Sequence, residues 1–134
     1  MEDSNKENFS KIIPLHKLGF ESSVFWSILE GKKTIEGRLA KGKFLSFTVG
    51  DKILLREDIW EDGKIVNSRN TGKVASILAV KQYVSFEEML KSEGLENVLP
   101  SAQSLQDALK IYRQFYSKND EDKYGVVALK IALG

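Results

Sequence analysis

The chain has 134 residues, of which 42% are hydrophobic and 29% are charged, and its formal net charge is +1 at pH 7. These values are typical of one globular domain with a core of its own. No apolar run approaches the roughly 20 residues that a membrane-spanning helix requires. We therefore expect a single soluble domain without membrane association.

Cysteine and histidine usage restricts the chemistry further. The chain has no cysteine, which excludes disulfides, a thiol nucleophile and thiolate metal sites, and its one histidine, His16, excludes a multi-histidine metal centre. We therefore expect neither a metal nor a cofactor. Residues 1–8 are polar and acidic, unlike a secretory signal or a transit peptide, so we expect a cytoplasmic location.

The N-terminal third predicts a tail, a strand and a helix. Residues 1–10 are polar and predict a disordered tail, which leaves 11–134 as the single domain. Lys11–Leu15 reads as a first strand, confined by its proline to an edge or a bulge. A helix is expected from a capping Ser22 or Ser23 to about Glu30, with Trp26 packed into the core. Gly31 suits the left-handed position after the last turn.

The segment that follows this helix, the eight residues from Gly31 to Arg38, contains three cations and one carboxylate. As a strand, the segment places Thr34, Glu36 and Arg38 on one face and Ile35, Gly37 and Leu39 on the other. The second face predicts core, whereas the first places a carboxylate two residues from a guanidinium, with Lys33 at the strand entrance. A surface Glu-Arg pair, worth about 0.5 kcal/mol, is the simplest explanation of this chemistry by itself.

The middle of the chain predicts strands joined by turns. Residues 40–43 form a basic loop, and Lys52–Arg56 reads as a buried strand. Asp62-Gly63 is a hairpin signal. Residues 67–72 read as a polar loop carrying Arg69, and 73–84 as a long strand.

The C-terminal part predicts two helices and a closing strand. Ser85 and Glu88 form a capping box for the first helix, which Gly94 ends. Ser104 opens the second helix, whose apolar-aromatic stripe is more typical of core than of a base-stacking platform. That stripe consists of Leu105, Leu109, Tyr112, Phe115 and Tyr116. Residues 118–123 read as a charged loop and 124–133 as the last strand.

About six strands, a leading helix and a two-helix insertion predict an α+β fold, with a small, mostly antiparallel β-barrel as its centre, because closure removes exposed edges. One barrel core is expected, with the helices packed outside it. Its expected members are Ile35, Leu39, Ile53, Leu55, Val74, Ile77, Val127, Leu129 and Ile131.

Charge is distributed unevenly along the chain. Residues 30–43 contain five cations and two anions, a local +3, and residues 64–81 contain four cations and no acid. Residues 82–122 contain eight acids and four cations, a local −4. The strands are thus basic and the helical insertion acidic, which indicates a polyanion site on one side of the molecule. The asymmetry is much weaker than in a domain that binds duplex DNA tightly.

Several motifs in order resemble the ASCH domain, a small β-barrel similar to the PUA fold. Gly31, Lys33, Glu36 and Arg38 reproduce its Gly-x-Lys-x-x-Glu-x-Arg signature. The resemblance extends from about Ile12 to Leu133. The other segments that resemble this domain are Val49-Gly50-Asp51, Ser85–Leu90, Leu99-Pro100, Tyr112–Tyr116 and Tyr124–Ala128.

The resemblance implies an RNA-associated binding module whose motif lines a cleft. In that case the basic side chains neutralise phosphates, and an aromatic side chain stacks on an unpaired base of single-stranded RNA or on a nucleotide. The candidate binding residues are Lys33, Thr34, Glu36, Arg38, Lys41 and Lys43. Glu36 accepts a hydrogen bond from a base amino group or orients Arg38.

A hydrolase is the alternative that the resemblance leaves open. The chain has no Gly-rich phosphate loop, zinc-binding His-x-Glu pair or Gly-x-Ser-x-Gly elbow. Some ASCH-like proteins resemble amidohydrolases of acylated cytidine, which use a lysine, a threonine three residues later and a distant glutamate, and others have been proposed as ribonucleases. Lys33 matches the lysine, but Glu36 occupies the threonine position and Thr34 follows the lysine directly. Under this alternative Lys33 and Glu36 are the catalytic candidates.

Overall fold

The computed structural model describes residues 15–134. The expected tail at 1–10 lies outside these residues, as does the expected first strand apart from Leu15. The five strands are β1 (Leu15–Glu21), β2 (Ile35–Leu39), β3 (Lys52–Glu61), β4 (Lys64–Tyr83) and β5 (Val126–Leu133). The five helices are α1 (Ser22–Leu29), α2 (Phe86–Glu93), α3 (Leu95–Val98), α4 (Leu105–Phe115) and α5 (Lys118–Tyr124), and a 3₁₀ turn covers Gly42–Ser46. None of the helices in this part of the chain is long and apolar enough to cross a membrane.

The strands form one mixed, open sheet in the order β1-β3-β4-β5-β2. The β1–β3 pair is parallel and the other three pairs are antiparallel. The expected closed, mostly antiparallel barrel is therefore wrong, although the α+β class is confirmed. A parallel pair needs a crossover connection, and here the chain passes through α1 and β2 between β1 and β3. Hairpin signals in a sequence report only antiparallel neighbours, so this pairing could not be foreseen.

The core lies on both faces of this sheet. Along β5, Val127, Leu129 and Ile131 belong to one hydrophobic cluster, while Val126 and Ala128 belong to a second cluster against the helices. Side chains alternate along a strand, so both faces of β5 are covered. The expectation of one core is therefore wrong.

The expected core members divide between these clusters. Ile53, Leu55 and Ile77 join the first cluster, together with α1 residues. Ile35 and Leu39 join the second, beneath α2 to α4. Val74 is half-buried and belongs to neither cluster.

The turns predicted at Gly31 and at Asp62-Gly63 are confirmed. Helix α1 is followed by Gly31 at φ +76°, and the hairpin turn has φ +52° at Asp62 and +76° at Gly63. The expected serine cap of α1 is wrong, because Glu21 is the N-cap and makes no side-chain capping bond. Trp26 is 50% exposed, so the expected packing into the core is also wrong.

Two polar segments that the sequence predicts as loops belong to a strand and a helix, so these two predictions are wrong. Residues 67–72 are part of β4, where Arg69 lies opposite Glu57 of β3. Residues 118–123 belong to α5, whose N-cap Ser117 accepts a hydrogen bond from Asp120 N. The buried Glu121 of α5 accepts bonds from Phe86 N (2.7 Å) and from Arg113 (2.9 Å), which ties three helices together. The insertion before β5 thus contains four helices rather than two.

Candidate functional site

A cleft of about 190 Å³ lies between the two edge strands, β1 and β2, and beneath α4. Within residues 15–134 no backbone ladder joins these edges. Instead, Arg38 of β2 donates from Nη2 to the Gly19 carbonyl of β1 across 3.0 Å. A side chain therefore bridges the sheet where a barrel would be closed by backbone hydrogen bonds.

Lys33 lines the cleft, and its side chain is only 1% exposed. Its ammonium group donates to Ile35 O at 2.6 Å, to Val98 O and to Glu36 Oε1 at 3.1 Å. A lysine ammonium has three N–H donors, so these contacts use all of them. Burial lowers the pKa of Lys33 from its ordinary value, against the opposing effect of Glu36. In this arrangement Lys33 holds Glu36 and α3 rather than facing a ligand.

Glu36 lies between Lys33 and Arg38. Arg38 Nε donates to its Oε2 at 2.6 Å, and the two cations hold the pKa of Glu36 below its ordinary value, although burial alone would raise it. The carboxylate is therefore ionised at neutral pH. A carboxylate offers about four lone-pair positions, so two remain for a ligand after these contacts.

Within residues 15–134, Arg38 is the motif cation whose N–H donors are not all bonded to the protein. Its guanidinium lies over the rings of Phe20 (5.4 Å) and Phe44 (5.5 Å). Its bonds to Glu36 and Gly19 use two of the five N–H groups of a guanidinium, and the side chain is 19% exposed. Arg38, rather than Lys33, thus has the geometry to bind an anion.

The other candidate binding residues lie around the cleft rather than in it. Thr34 is held by its backbone, through Asn97 O (3.0 Å) and Ile131 N (2.9 Å). Lys43 is exposed, and its Nζ lies 5.7 Å from the Phe44 ring that Arg38 also covers. Lys41 is also exposed, and its Nζ lies 5.1 Å from the centre of the Tyr124 ring. The structure therefore brings Lys33, Glu36 and Arg38 together, with Lys43 beside them.

Aromatic residues are the part of the site that sequence reasoning missed. Phe20, Trp60, Tyr112, Phe115 and Tyr116 line the cleft. Phe115 is 53% exposed and meets Trp60 edge-to-face at 5.6 Å between ring centroids. The stripe of α4 was visible in the sequence, but helical periodicity does not tell which of its aromatic residues extend past the core.

His16 belongs to a structural contact outside the cleft. Its Nε2 lies 2.8 Å from Asp51 Oδ2, and its ring stacks on Phe47 at 3.8 Å. Over residues 15–134 there is no group of three or more histidine, aspartate or glutamate side chains placed to hold a metal ion.

The family model of the ASCH domain matches residues 18–134. The chain belongs to the ASCH domain family. Proteins of this family are generally RNA-binding or hydrolase-like. The Lys33–Glu36–Arg38 cluster and the cleft that it lines lie within the matched segment.

Solved structures share this fold. The chain is 38% identical to the hypothetical protein PH0355. The match covers 90% of this chain and 99% of that one, with a TM-score of 0.75. Protein PF0455 from Pyrococcus furiosus is 37% identical, with 89% and 96% of the chains covered and a TM-score of 0.68. A point mutant of ZmASCH from Zymomonas mobilis shares the fold at 15% identity and a TM-score of 0.54, with 88% of this chain and 68% of that one covered. A comparison with curated proteins gave no match.

Proposed function

We propose that this ASCH domain binds an unpaired base of single-stranded RNA, or a nucleotide, in the cleft between β1 and β2. The observation that carries the proposal is the combination of aromatic walls with a hydrogen-bonding charged pair. Trp60 and Phe115 provide partly exposed rings at the cleft, while Glu36 and Arg38 provide an acceptor and a donor within it. Proteins that recognise unpaired bases combine stacking with hydrogen bonds to the base edge.

The size of the cleft favours one base over a larger ligand. Pockets that enclose a drug-sized molecule usually measure about 300–1,000 Å³, whereas this cleft measures about 190 Å³. A wider open groove of about 600 Å³, also lined by Trp60 and Phe115, adjoins it. When one base occupies the cleft, the neighbouring bases of the RNA therefore have room to lie over the rings of Trp60 and Phe115.

The distribution of free cations supports an anionic ligand at the β1 side of the cleft. Arg38 retains N–H donors, and Lys43 lies beside it with its ammonium group also bonded to Lys17 O at 3.0 Å. Lys17 and Lys43 are both exposed. A phosphate attached to a base in the cleft meets these groups, which are the sequence-independent part of RNA binding.

The hydrolase alternative receives less support from the same geometry. Burial lowers the pKa of Lys33, as a lysine base requires, but its Nζ is directed at three oxygens of the protein rather than at a substrate proton. Glu36 is held in the charged state between two cations, which weakens it as a base. We therefore assign Lys33 and Glu36 binding and positioning roles and propose no catalytic step.

Phe115→Ala tests the proposal directly. We expect this variant to weaken binding of a fluorescein-labelled, ten-nucleotide single-stranded RNA by about 1–3 kcal/mol, the range for loss of one base-stacking ring. Because Phe115 is half-exposed, the variant should remain folded. Fluorescence anisotropy measures the affinity, and thermal unfolding monitors the fold.

Trp26→Ala is the matched control. Trp26 has a similar exposure, 50%, and does not line the cleft. The Trp26→Ala variant should bind the RNA with the affinity of the wild type. An equal loss in both variants, or no binding by the wild type, would contradict the proposal.

A charge reversal of the exposed lysines should change the salt dependence of binding. For Lys41→Glu with Lys43→Glu, we expect weaker RNA binding and a smaller slope of log affinity against log salt, because each single-strand phosphate contact contributes about −0.7 to that slope. Both side chains are exposed, so the fold should be retained. Titrations between about 50 and 200 mM salt measure the slope. An unchanged slope would show that these two lysines do not contact RNA phosphates.

A further inference from the structure

Tyr112 carries a buried hydroxyl that no group of residues 15–134 satisfies. Among the side-chain polar atoms buried in residues 15–134, its Oη is the one without a hydrogen-bond partner, and the residue is 7% exposed. The large majority of buried polar side-chain atoms in proteins are hydrogen-bonded, and leaving one unpaired costs about 1–3 kcal/mol. Such an atom in a cleft indicates a group that is kept for a ligand.

The surroundings of Tyr112 fix its hydroxyl in the cleft. Its ring stacks on the buried Phe86 at 4.1 Å with an interplanar angle of 14°. At the other end, the position that a Cβ on Gly37 would occupy lies 2.5 Å from Met89 Sδ and 3.3 Å from Tyr112 Oη. The absence of a side chain at Gly37 therefore leaves room beside the β2 backbone for the Met89 thioether, with the hydroxyl next to it.

The electrostatic environment keeps this hydroxyl protonated. Burial, and next the Glu36 carboxylate, raise the pKa of Tyr112 well above its ordinary value. A neutral phenol can donate a hydrogen bond, whereas the ionised Glu36 can only accept one. The buried part of the cleft thus offers a donor and an acceptor to whatever enters it.

We infer that Tyr112 recognises the base in the cleft by donating a hydrogen bond from its hydroxyl to an acceptor on the edge of the base. Glu36 accepts a hydrogen bond from a donor next to that acceptor. The inference rests on the proposed function, and it adds the recognition chemistry. The ligand must present a donor beside an acceptor on one edge, as the Watson–Crick edge of an unpaired nucleobase does. Arg38 then contacts the phosphate or sugar, which carries no sequence information.

Tyr112→Phe separates a recognition role from a structural one. The variant removes only the hydroxyl, so in the absence of ligand its melting temperature should equal or exceed that of the wild type, because an unsatisfied group has been removed. Its affinity for a base should fall about three- to tenfold, the value of one neutral hydrogen bond.

Tyr83→Phe is the matched control, since Tyr83 donates its hydroxyl to Glu93 and does not line the cleft. This variant should melt at a lower temperature than the wild type and bind with unchanged affinity.

The experiment is an NMR titration of the wild type, Tyr112→Phe and Tyr83→Phe with AMP, CMP, GMP and UMP, and with ribose 5-phosphate, accompanied by thermal unfolding. We expect Tyr112→Phe to weaken binding of at least one nucleotide and to leave any binding of ribose 5-phosphate unchanged.

Each contrary outcome has a distinct meaning. Nucleotide binding by the wild type that Tyr112→Phe leaves unchanged would overturn the inference and leave the proposed function standing. An equal loss for ribose 5-phosphate would show that the hydroxyl contacts sugar or phosphate, which also overturns it. No binding of any nucleotide or of single-stranded RNA by the wild type would refute the proposed function and the inference together.

Discussion

Lys33→Met is expected to lower the free energy of unfolding by about 3–5 kcal/mol, the range for breaking a buried ion pair from one side. The ammonium group of Lys33 satisfies two backbone carbonyls, Ile35 O and Val98 O, as well as Glu36. Methionine fills a similar volume but donates nothing, so both carbonyls lose their donor. Since domains of this size are stable by about 5–15 kcal/mol, the loss is a large share of the total. Urea denaturation followed by tryptophan fluorescence measures it.

Two further variants establish the cause of this effect. Lys32→Met removes a neighbouring lysine that is 64% exposed, and it should change the unfolding free energy by no more than about 0.5 kcal/mol. Combining Lys33→Met with Glu36→Gln should cost less than the sum of the two single changes, because the neutral amide no longer needs a counter-charge. Strict additivity would contradict the ion-pair account, and a stability equal to the wild type in Lys33→Met would contradict the buried role altogether.

Arg38→Gln is expected to weaken binding of the single-stranded RNA by about 10- to 100-fold, the value of a hydrogen bond to a charged group. Arg38 lines the cleft over Phe20 and Phe44, and its bonds to Glu36 and Gly19 leave N–H donors for a ligand. Glutamine is polar but carries no charge and lacks the planar fork of a guanidinium. Anisotropy titrations of both proteins at one fixed salt concentration measure the difference.

Arg69→Gln provides the matched control for this prediction. Arg69 also pairs with a carboxylate, Glu57 at 2.6 Å, but its side chain is 59% exposed and does not line the cleft. The Arg69→Gln variant removes the same charge as Arg38→Gln, so a general effect of net charge on RNA binding would appear in both variants. If Arg38→Gln binds normally while the reversal of Lys41 and Lys43 abolishes binding, the phosphate contacts lie on the loop instead of in the cleft.

Local patterns in the sequence determined the motif strand and the family. Side chains alternate along a strand whatever its partners are, so Glu36 and Arg38 were correctly placed opposite the buried Ile35 and Leu39. The turns at Gly31 and at Asp62-Gly63 followed from backbone preferences of single residues. The resemblance to the ASCH domain rested on these short-range features and was confirmed.

The arrangement of strands depended on contacts that no local pattern records. The parallel β1–β3 pair and the open edges arise from the path of the chain through α1 and β2. The polar residues 67–72 form part of β4 because the ladder with β3 uses backbone groups, which all residues share. Hydrophobic alternation is absent there, since this part of β4 is exposed on both faces.

The roles of individual site residues were decided only by the tertiary structure. Whether Lys33 binds a ligand or holds the protein depends on Val98 O, which lies 65 residues away in sequence. The aromatic stripe of α4 became part of a cleft because Tyr112 packs with Ile35 and Leu39 of β2, and both Gly37 and Tyr112 line the cleft. A lysine, a glutamate and an arginine in sequence are three charges, but burial and hydrogen-bond partners determine which of them remains available to a ligand.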